Sequence, residues 1–307
     1  GIRDHCVTGV QTCGSSDLVV GSGREEVESH LAQIAPDAIA VFQAERNGTG
    51  HAVQIAIDGV KSNGLALILA GDTPMLSAGT LQEFVAAHQT GNCTASVLTA
   101  EHPDPSGYGR IIRGDDGLLL KIVEERDATD DQKLIFEVNS GVYLFDFAAL
   151  SNAISKLKRD NAQGELYLTD AIQIIRENGG KVAAILCEDF TETLGVNDRI
   201  QLAEAAAILR DRVAERHMRN GVTILDPGST WIDDTVAIAT DVTILPGCAI
   251  LGSTAIASGA VIGPRTTLQD CAVNSGAVVR EFDLWISKCR SEEHTSELQS
   301  HSDLVCR

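Results

Sequence analysis

The sequence predicts an α/β sheet domain, then a helical arm, then a parallel β-helix of hexapeptide repeats. Three observations carry this. Leu65–Pro74 is an unbroken apolar run closed by Gly-Asp-Thr-Pro, the mark of a strand buried on both faces that ends at a loop. Short apolar runs alternate with helix-period segments on either side of it. From Ile232 onward, Ile238, Ile244, Ile250, Ile256, Ile262 and Leu268 recur every six residues.

Totals narrow the function classes. The chain has 307 residues, enough for two domains, and a formal net charge of −19 with pI near 4.7. That balance argues against a nucleic-acid or anionic-membrane surface. No apolar run approaches the roughly 18 residues of a membrane span, and the first residues lack the apolar segment of a signal peptide. The eight cysteines are scattered without a CxxC pair, so reduced thiols and a cytoplasmic location are expected. Residues 1–17 and 280–307 resemble translated adapter DNA and show no period of 2 or 3.6. They are expected to stand outside the fold, and His294, His301, Cys289 and Cys306 are not read as a metal site.

In chain order, Leu18–Val20 reads as a strand, Gly21-Ser-Gly23 as an ordinary βα turn, and Val27, Leu31 and Ile34 as one face of a helix. Ile39–Phe42 is a strand leading into Gln43, then Gly48-Thr49-Gly50 at a helix start. Glycines there let a backbone approach a ligand closely, and a helix amino end favours phosphate. The Gln43 amide can read a pyrimidine edge. The same residues also fit a tight turn and a surface glutamine. Asp72, at the carboxyl end of its strand, points toward the crevice where open α/β sheets bind ligands, and a carboxylate there can hold a divalent ion. Gly-Asp-Thr-Pro also fits a plain turn.

Helix Thr80–His88 and strand Ala95–Thr99 follow, then Gly107-Tyr-Gly109-Arg110, a hairpin turn at Asp115-Asp-Gly117, and strand Leu119–Glu125. Glu137–Asp146 is a strand, Asn161–Asp170 opens a helix, and Lys181–Leu186 is a strand. Ile200–Arg219 is an Ala-rich arm. In the hexads, Val236, Val242, Cys248, Thr254, Ala260, Thr266 and Ala272 sit two positions ahead of the next apolar position, the signature of a parallel coil. The domains expected are 18–199, an arm over 200–220 and a partial β-helix over 221–279.

Seven ordered motifs carry a resemblance: Gln43-Ala-Glu-Arg-Asn-Gly-Thr-Gly-His-Ala, Ala70-Gly-Asp-Thr-Pro, Gly107-Tyr-Gly-Arg-Ile, Ile122-Val-Glu-Glu-Arg-Asp-Ala-Thr, Glu137-Val-Asn-Ser-Gly, Asn161-Ala-Gln-Gly-Glu-Leu-Tyr-Leu-Thr-Asp and Gly195-Val-Asn-Asp-Arg. Over roughly Leu18–Val279 the chain resembles the bacterial bifunctional N-acetylglucosamine-1-phosphate uridyltransferase/glucosamine-1-phosphate acetyltransferase family. The resemblance implies a Rossmann-like nucleotidyltransferase domain, a helical arm and a left-handed β-helix that trimerises in the full-length parent. It also implies Mg2+ as cofactor, with UTP and N-acetylglucosamine 1-phosphate as substrates. By motif, Gln43 would bind uracil with Gly48 and Thr49 beside it. Asp72 and Asn197 would ligate Mg2+, with Asp72 also at the reacting centre. Gly109, Glu124 and Asn139 would hold the sugar.

Rival readings remain for these residues. Glu124 also fits a solvated strand-end acid, Asn139 and Asn197 fit turn or cap residues, His51 fits local packing, and Tyr108 fits a pocket wall. Family members carry Leu-Ala-Ala-Gly-x-Gly-Thr-Arg-Met and a Pro-Lys ahead of the matched stretch. This sequence shows neither, nor the later coils expected to carry an acetyl-CoA site. The polypeptide as written is therefore expected to have little uridyltransferase activity and no acetyltransferase activity. Two other functions fit the same features: another sugar-1-phosphate nucleotidyltransferase, for instance one using glucose 1-phosphate, or a non-catalytic nucleotide-binding, trimerising module.

Overall fold

The computed structural model describes residues 8–12, 15–58, 60, 64–281 and 284–286. His294, His301, Cys289 and Cys306 lie outside them. The chain divides into two compact units at Leu202/Ala203.

The first unit holds β1 (Thr8–Thr12), β2 (Ser15–Val20), α1 (Arg24–Ile34), β3 (Ile39–Phe42), α2 (Thr49–Ile57), β4 (Leu65–Ala70), α3 (Ala78–Thr90) and β5 (Ala95–Glu101). It continues with β6 (Arg110–Arg113), β7 (Leu119–Val123), α4 (Asp130–Lys133), β8 (Glu137–Asp146), α5 (Phe147–Ile154), α6 (Thr169–Glu177) and β9 (Val182–Leu186). Among the described residues these strands form one nine-stranded mixed sheet, ordered β3-β2-β1-β4-β8-β5-β9, with β6 joining β7 to β8. The β2–β3 and β5–β9 pairs are parallel. β4 is covered on both faces, as its composition requires. Ala66 and Ile68 enter a core with Val53, Phe145, Leu150 and Ile172, while Leu65, Leu67 and Leu69 pack toward Phe84, Leu98 and Leu144.

Several expectations change. Residues 1–17 do not all stand outside the fold: β1 lies between β2 and β4, antiparallel to both. Without it, two strand edges would present unpaired N–H and C=O groups in mid-sheet. In α1, Val27 and Leu31 are only half-buried and Ile34 is exposed, so that face is not a core face. α5, unmarked in the sequence reading, starts where the Asp146 carboxylate accepts the Ala149 N–H.

The second unit takes most of α7 (Arg199–Arg219), whose Val213 and Ala214 join its core. Eleven short strands follow: β10 (Thr223–Ile224), β11 (Trp231–Ile232), β12 (Ala237–Ile238), β13 (Thr243–Ile244), β14 (Ala249–Leu251), β15 (Ala255–Ile256), β16 (Val261–Ile262), β17 (Thr267–Gln269), β18 (Ala272–Val273), β19 (Val278–Val279) and β20 (Leu284–Ile286). They stack as three parallel sheets, β10-β13-β16-β19, β11-β14-β17-β20 and β12-β15-β18. Ile232 lies opposite Ile250, and Ile250 opposite Leu268. The hexad frame slips once. Val273 stands opposite Ile256, with Cys271 and Val273 buried and Ala272 exposed, because the corner at Asp270 is one residue shorter than the one at Gly252-Ser253. Asp270 takes φ 51°, and its carboxylate accepts the Ser253 N–H. The tail also contributes: β20 pairs with β17, so residues 284–286 lie within the coil rather than beyond it.

Candidate active site

Because β1 runs antiparallel to both β2 and β4, the carboxyl ends of β2, β3 and β4 share one sheet edge. The start of β8, antiparallel to β4, meets them there. Gln43 follows β3, its N–H donating to the Val20 carbonyl at 2.9 Å. Asp72 follows β4. A Cβ on Gly141 would stand 3.1 Å from Ala70 Cβ, so Asn139 enters β8 beside the end of β4.

Asp72 and Asn197, distant in sequence, are neighbours. The Asp72 carbonyl accepts the Val196 N–H at 2.8 Å. A Cβ placed on Gly195 would lie 3.6 Å from Asn197 Nδ2 and 3.9 Å from Asp72 Oδ2. Glu192 secures the incoming segment by accepting the Ser77 N–H at 2.9 Å. Burial raises the Asp72 carboxyl above its ordinary value, and among the described residues no cationic side chain pairs with it. Tyr108 faces the Gly195 backbone and Asp72.

A second cluster gathers Gly109, Glu124 and Asn139. The Asn139 N–H donates to the Gly109 carbonyl at 2.8 Å, and a Gly109 Cβ would approach Asn139 Cβ at 3.5 Å and Glu124 Oε2 at 3.6 Å. Asn139 Nδ2 donates to the Tyr143 hydroxyl at 2.7 Å, and the Thr169 hydroxyl to Glu124 Oε1 at 3.1 Å. A cavity of about 370 Å3 opens beside Glu124, lined by Asn161, Tyr167, Thr169, Asp170 and Gln173 among others. The buried Tyr167 hydroxyl has no partner among the described residues. Desolvation raises the Glu124 carboxyl; Thr169 opposes this, while the Asp170 and Asp127 charges add to it.

An acid whose pKa is raised on folding binds its proton more tightly in the folded than in the unfolded state. Its ionisation therefore erodes stability as pH rises from its ordinary value of 4.5 through the folded pKa. Glu124→Gln is accordingly expected to melt at a higher temperature than the parent at neutral pH. The difference should vanish below pH 4.5, as thermal melts across pH would record.

The third cluster is Gln43, Gly48 and Thr49. Gln43 Nε2 donates to the Gly48 carbonyl at 3.3 Å and lies 3.1 Å from His51 Nδ1, so its amide nitrogen braces its own loop. The Thr49 hydroxyl accepts the Leu168 N–H at 3.1 Å, and the Gly50 N–H donates to the Leu166 carbonyl at 2.8 Å. Gly48 has φ 98°, and a Cβ there would stand 2.5 Å from the Leu166 carbonyl oxygen. Gly48→Ala combines a strained backbone, on the order of 1–3 kcal/mol, with a clash against main chain that cannot rotate away. Loss of that stability in a denaturant titration, with faster proteolysis between Asn161 and Leu168, is the expected result.

Two short segments stitch the clusters together. Residues 107–109 present Tyr108 to Asp72 and Gly109 to Glu124. Residues 166–169 contact Gly48 and Thr49 at one end and Glu124 at the other. Tyr143, Tyr167 and Thr169 were missed as site residues by sequence reasoning. The last two lay inside a quoted motif without a role, and Tyr143 in a plain strand pattern.

A mixed α/β sheet with a partly buried acid at the carboxyl end of a central strand and glycine-bounded loops beside it has the layout in which open α/β sheets bind ligands at that edge. The chain belongs to the nucleotidyl transferase family, whose profile matches residues 18–233. It is 46% identical over 267 residues to the bifunctional protein GlmU of Thermobifida fusca, covering 85% of this chain and 55% of that protein. It is 46% identical over 281 residues to that of Mycolicibacterium vanbaalenii (90% and 57%), and 44% identical over 275 residues to that of Caldanaerobacter subterraneus (89% and 59%). The chain thus spans little more than half the length of these relatives.

Proposed function

We propose that this chain is the uridyltransferase part of a bifunctional enzyme, making UDP-N-acetylglucosamine and pyrophosphate from UTP and N-acetylglucosamine 1-phosphate. The observation that carries the reading is the meeting of Asp72 and Asn197 around Gly195, beside a second cluster at Gly109, Glu124 and Asn139. Its match to bifunctional GlmU proteins supports it.

A divalent cation fits the first cluster. A partly buried carboxylate without a protein cation, joined by one amide, matches the sparse protein ligation of Mg2+, which keeps water and phosphate oxygens as its other ligands. Asp72 and Asn197 would hold it, and when bound it would offset charge on the phosphates. Gln43 offers its amide oxygen to the uracil edge, while Gly48 and Thr49 let the nucleotide lie close to the backbone. Glu124 accepts from sugar hydroxyls, and Asn139 and the Gly109 backbone orient the ring. An oxygen of the sugar phosphate attacks the α-phosphorus of UTP. A new P–O bond forms, the bond from the α-phosphorus to the α–β bridging oxygen breaks, and pyrophosphate leaves with that oxygen. Positioning and charge balance suffice, so no protein nucleophile is required.

The same reading makes the second unit the start of a left-handed β-helix that trimerises in the full-length protein, and places the enzyme in the cytoplasm. Among the described residues no helix is long and apolar enough to cross a membrane.

The test is pyrophosphate release from UTP, Mg2+ and N-acetylglucosamine 1-phosphate. A chain that carries the family's Leu-Ala-Ala-Gly-x-Gly-Thr-Arg-Met and Pro-Lys segment ahead of the matched stretch should turn over. Preference of that chain for glucose 1-phosphate would replace the substrate assignment. UTP binding without any release would favour a non-catalytic module.

A further inference from the structure

Among the described residues Arg110 is the largest fully buried side chain, at 1% exposure. It sits at the first position of β6, opposite Val123 of β7 and Val138 of β8. Its Nη2 pairs with Glu125 Oε2 at 2.7 Å, its Nη1 donates to the Tyr108 carbonyl, and its Nε has no partner among the described residues. Glu125 Oε2 also accepts the Gly107 N–H at 3.3 Å. A guanidinium taken out of water into such a place is poorly explained by stability, since buried ion pairs gain little over well-packed apolar residues.

What the pair does hold is geometry. Gly107 takes φ 85°, a left-handed conformation that glycine adopts without strain. The Tyr108 ring lies against His102 (centroids 5.1 Å), which in turn meets Phe190 edge-on at 5.3 Å. Main chain at Gly107 and Tyr108 is thus gripped from below by Glu125 and Arg110, while the Tyr108 ring is backed from the side.

We infer that Arg110 is a positioning residue which, with Glu125, locks residues 107–109 so that Tyr108 faces Asp72 and Gly109 faces Glu124 and Asn139. The inference rests on reading those clusters as the nucleotide and sugar halves of one site. It adds that a single ion pair, buried on its Arg110 side and partly exposed at Glu125, sets their mutual placement. Misplacement of a site element by a fraction of an ångström weakens every contact that depends on it.

The chain has three tyrosines, Tyr108, Tyr143 and Tyr167, so ζ-13C-tyrosine labelling gives three NMR signals, with Tyr108 identified by Tyr108→Phe. The double variant Arg110→Met/Glu125→Leu removes both charges at similar volume and leaves neither unpaired, which preserves folding. The expected result is a thermal melt close to the parent's and a Tyr108 signal displaced or broadened toward that of a solvent-exposed tyrosine. UDP-N-acetylglucosamine should also bind about tenfold or more weakly by calorimetry, the equivalent of about 1.4 kcal/mol. Arg110→Lys, which keeps the charge but not the fork, should shift Tyr108 by an intermediate amount. An unmoved Tyr108 signal in the folded double variant overturns the inference. So does collapse of all three signals in both variants, which would make Arg110 an ordinary core residue. If the parent itself binds no UDP-N-acetylglucosamine, the site reading fails, while the Tyr108 signal still decides the positioning role.

Discussion

Asp72→Asn, made in a chain that carries the family's glycine-rich segment ahead of the matched stretch, should lower pyrophosphate release by about 10²–10³-fold or more, the usual loss when one preorganised charge is removed from a transfer site. The protein should not melt earlier. Asp72 is held partly out of water with no cationic side chain against it among the described residues, so its carboxyl is raised from the ordinary 3.8. The ionised form is therefore disfavoured by folding, and its cost is present at every pH above that raised value and fades as pH falls toward 3.8. Asparagine keeps the shape without the charge. At neutral pH the variant should match or exceed the parent in melting temperature while losing turnover. Isothermal titration with Mg2+ and UTP should show the metal-dependent part of binding lost as well. Turnover within about tenfold of the parent would remove Asp72 from the centre of the chemistry.

Such a split between stability and activity marks a residue retained for function, and it bears on what could be read from the sequence. The place of Asp72 just past the carboxyl end of β4 was legible from the apolar run it follows, although the same Gly-Asp-Thr-Pro also fitted a plain turn. Glu137–Asp146 was legible as a strand with the bounds the structure gives it, because the apolar run Val142–Phe145 follows Gly141 and closes at Asp146. Asn197 is a different case. Its cap-like neighbourhood is real, since its N–H donates to Gln201 Oε1 at 2.7 Å, yet its side chain also sits by Gly195 near Asp72. Only the chain crossing at Val196 brings the two together, and a one-dimensional pattern cannot express a crossing.

What remained hidden has the same origin. Arg110 looks like a surface cation after a Gly-Tyr-Gly turn, and its burial depends on Glu125 arriving from the neighbouring strand. Thr49 also braces a loop distant in sequence, its hydroxyl accepting the Leu168 N–H, a contact that no local pattern could show. β1 and β20 were discounted because their segments resemble translated adapter DNA and show no period of 2 or 3.6. Both are recruited by strand edges that would otherwise lack partners, which is a property of the sheet and not of the recruited segment. The slip at Cys271 shows the limit of even a strong repeat: hexads predict the inward positions only until a corner loses a residue.

Ile250→Ala should give the largest stability loss of the changes considered, on the order of 2–5 kcal/mol. Ile250 is 0% exposed and stands in the middle of its sheet, with Ile232 on one side and Leu268 on the other. Coils of this kind contact only their neighbours along the stack, so a void at a central position weakens the interfaces above and below it together. Nor can the cavity collapse easily, because the flanking strands are tied by ladder bonds such as Trp231 N–H to the Cys248 carbonyl at 2.9 Å and Ala249 N–H to the Thr266 carbonyl at 3.0 Å. The measurement is selective. Both tryptophans, Trp231 and Trp285, belong to the second unit and all three tyrosines to the first. Tryptophan fluorescence should report an early denaturant transition in the variant, with the tyrosine-reported transition close to the parent's. Ile238→Ala, at a position only half-buried, should cost less. Equal losses at the two positions would mean that the coil does not bury its hexad residues in the register described.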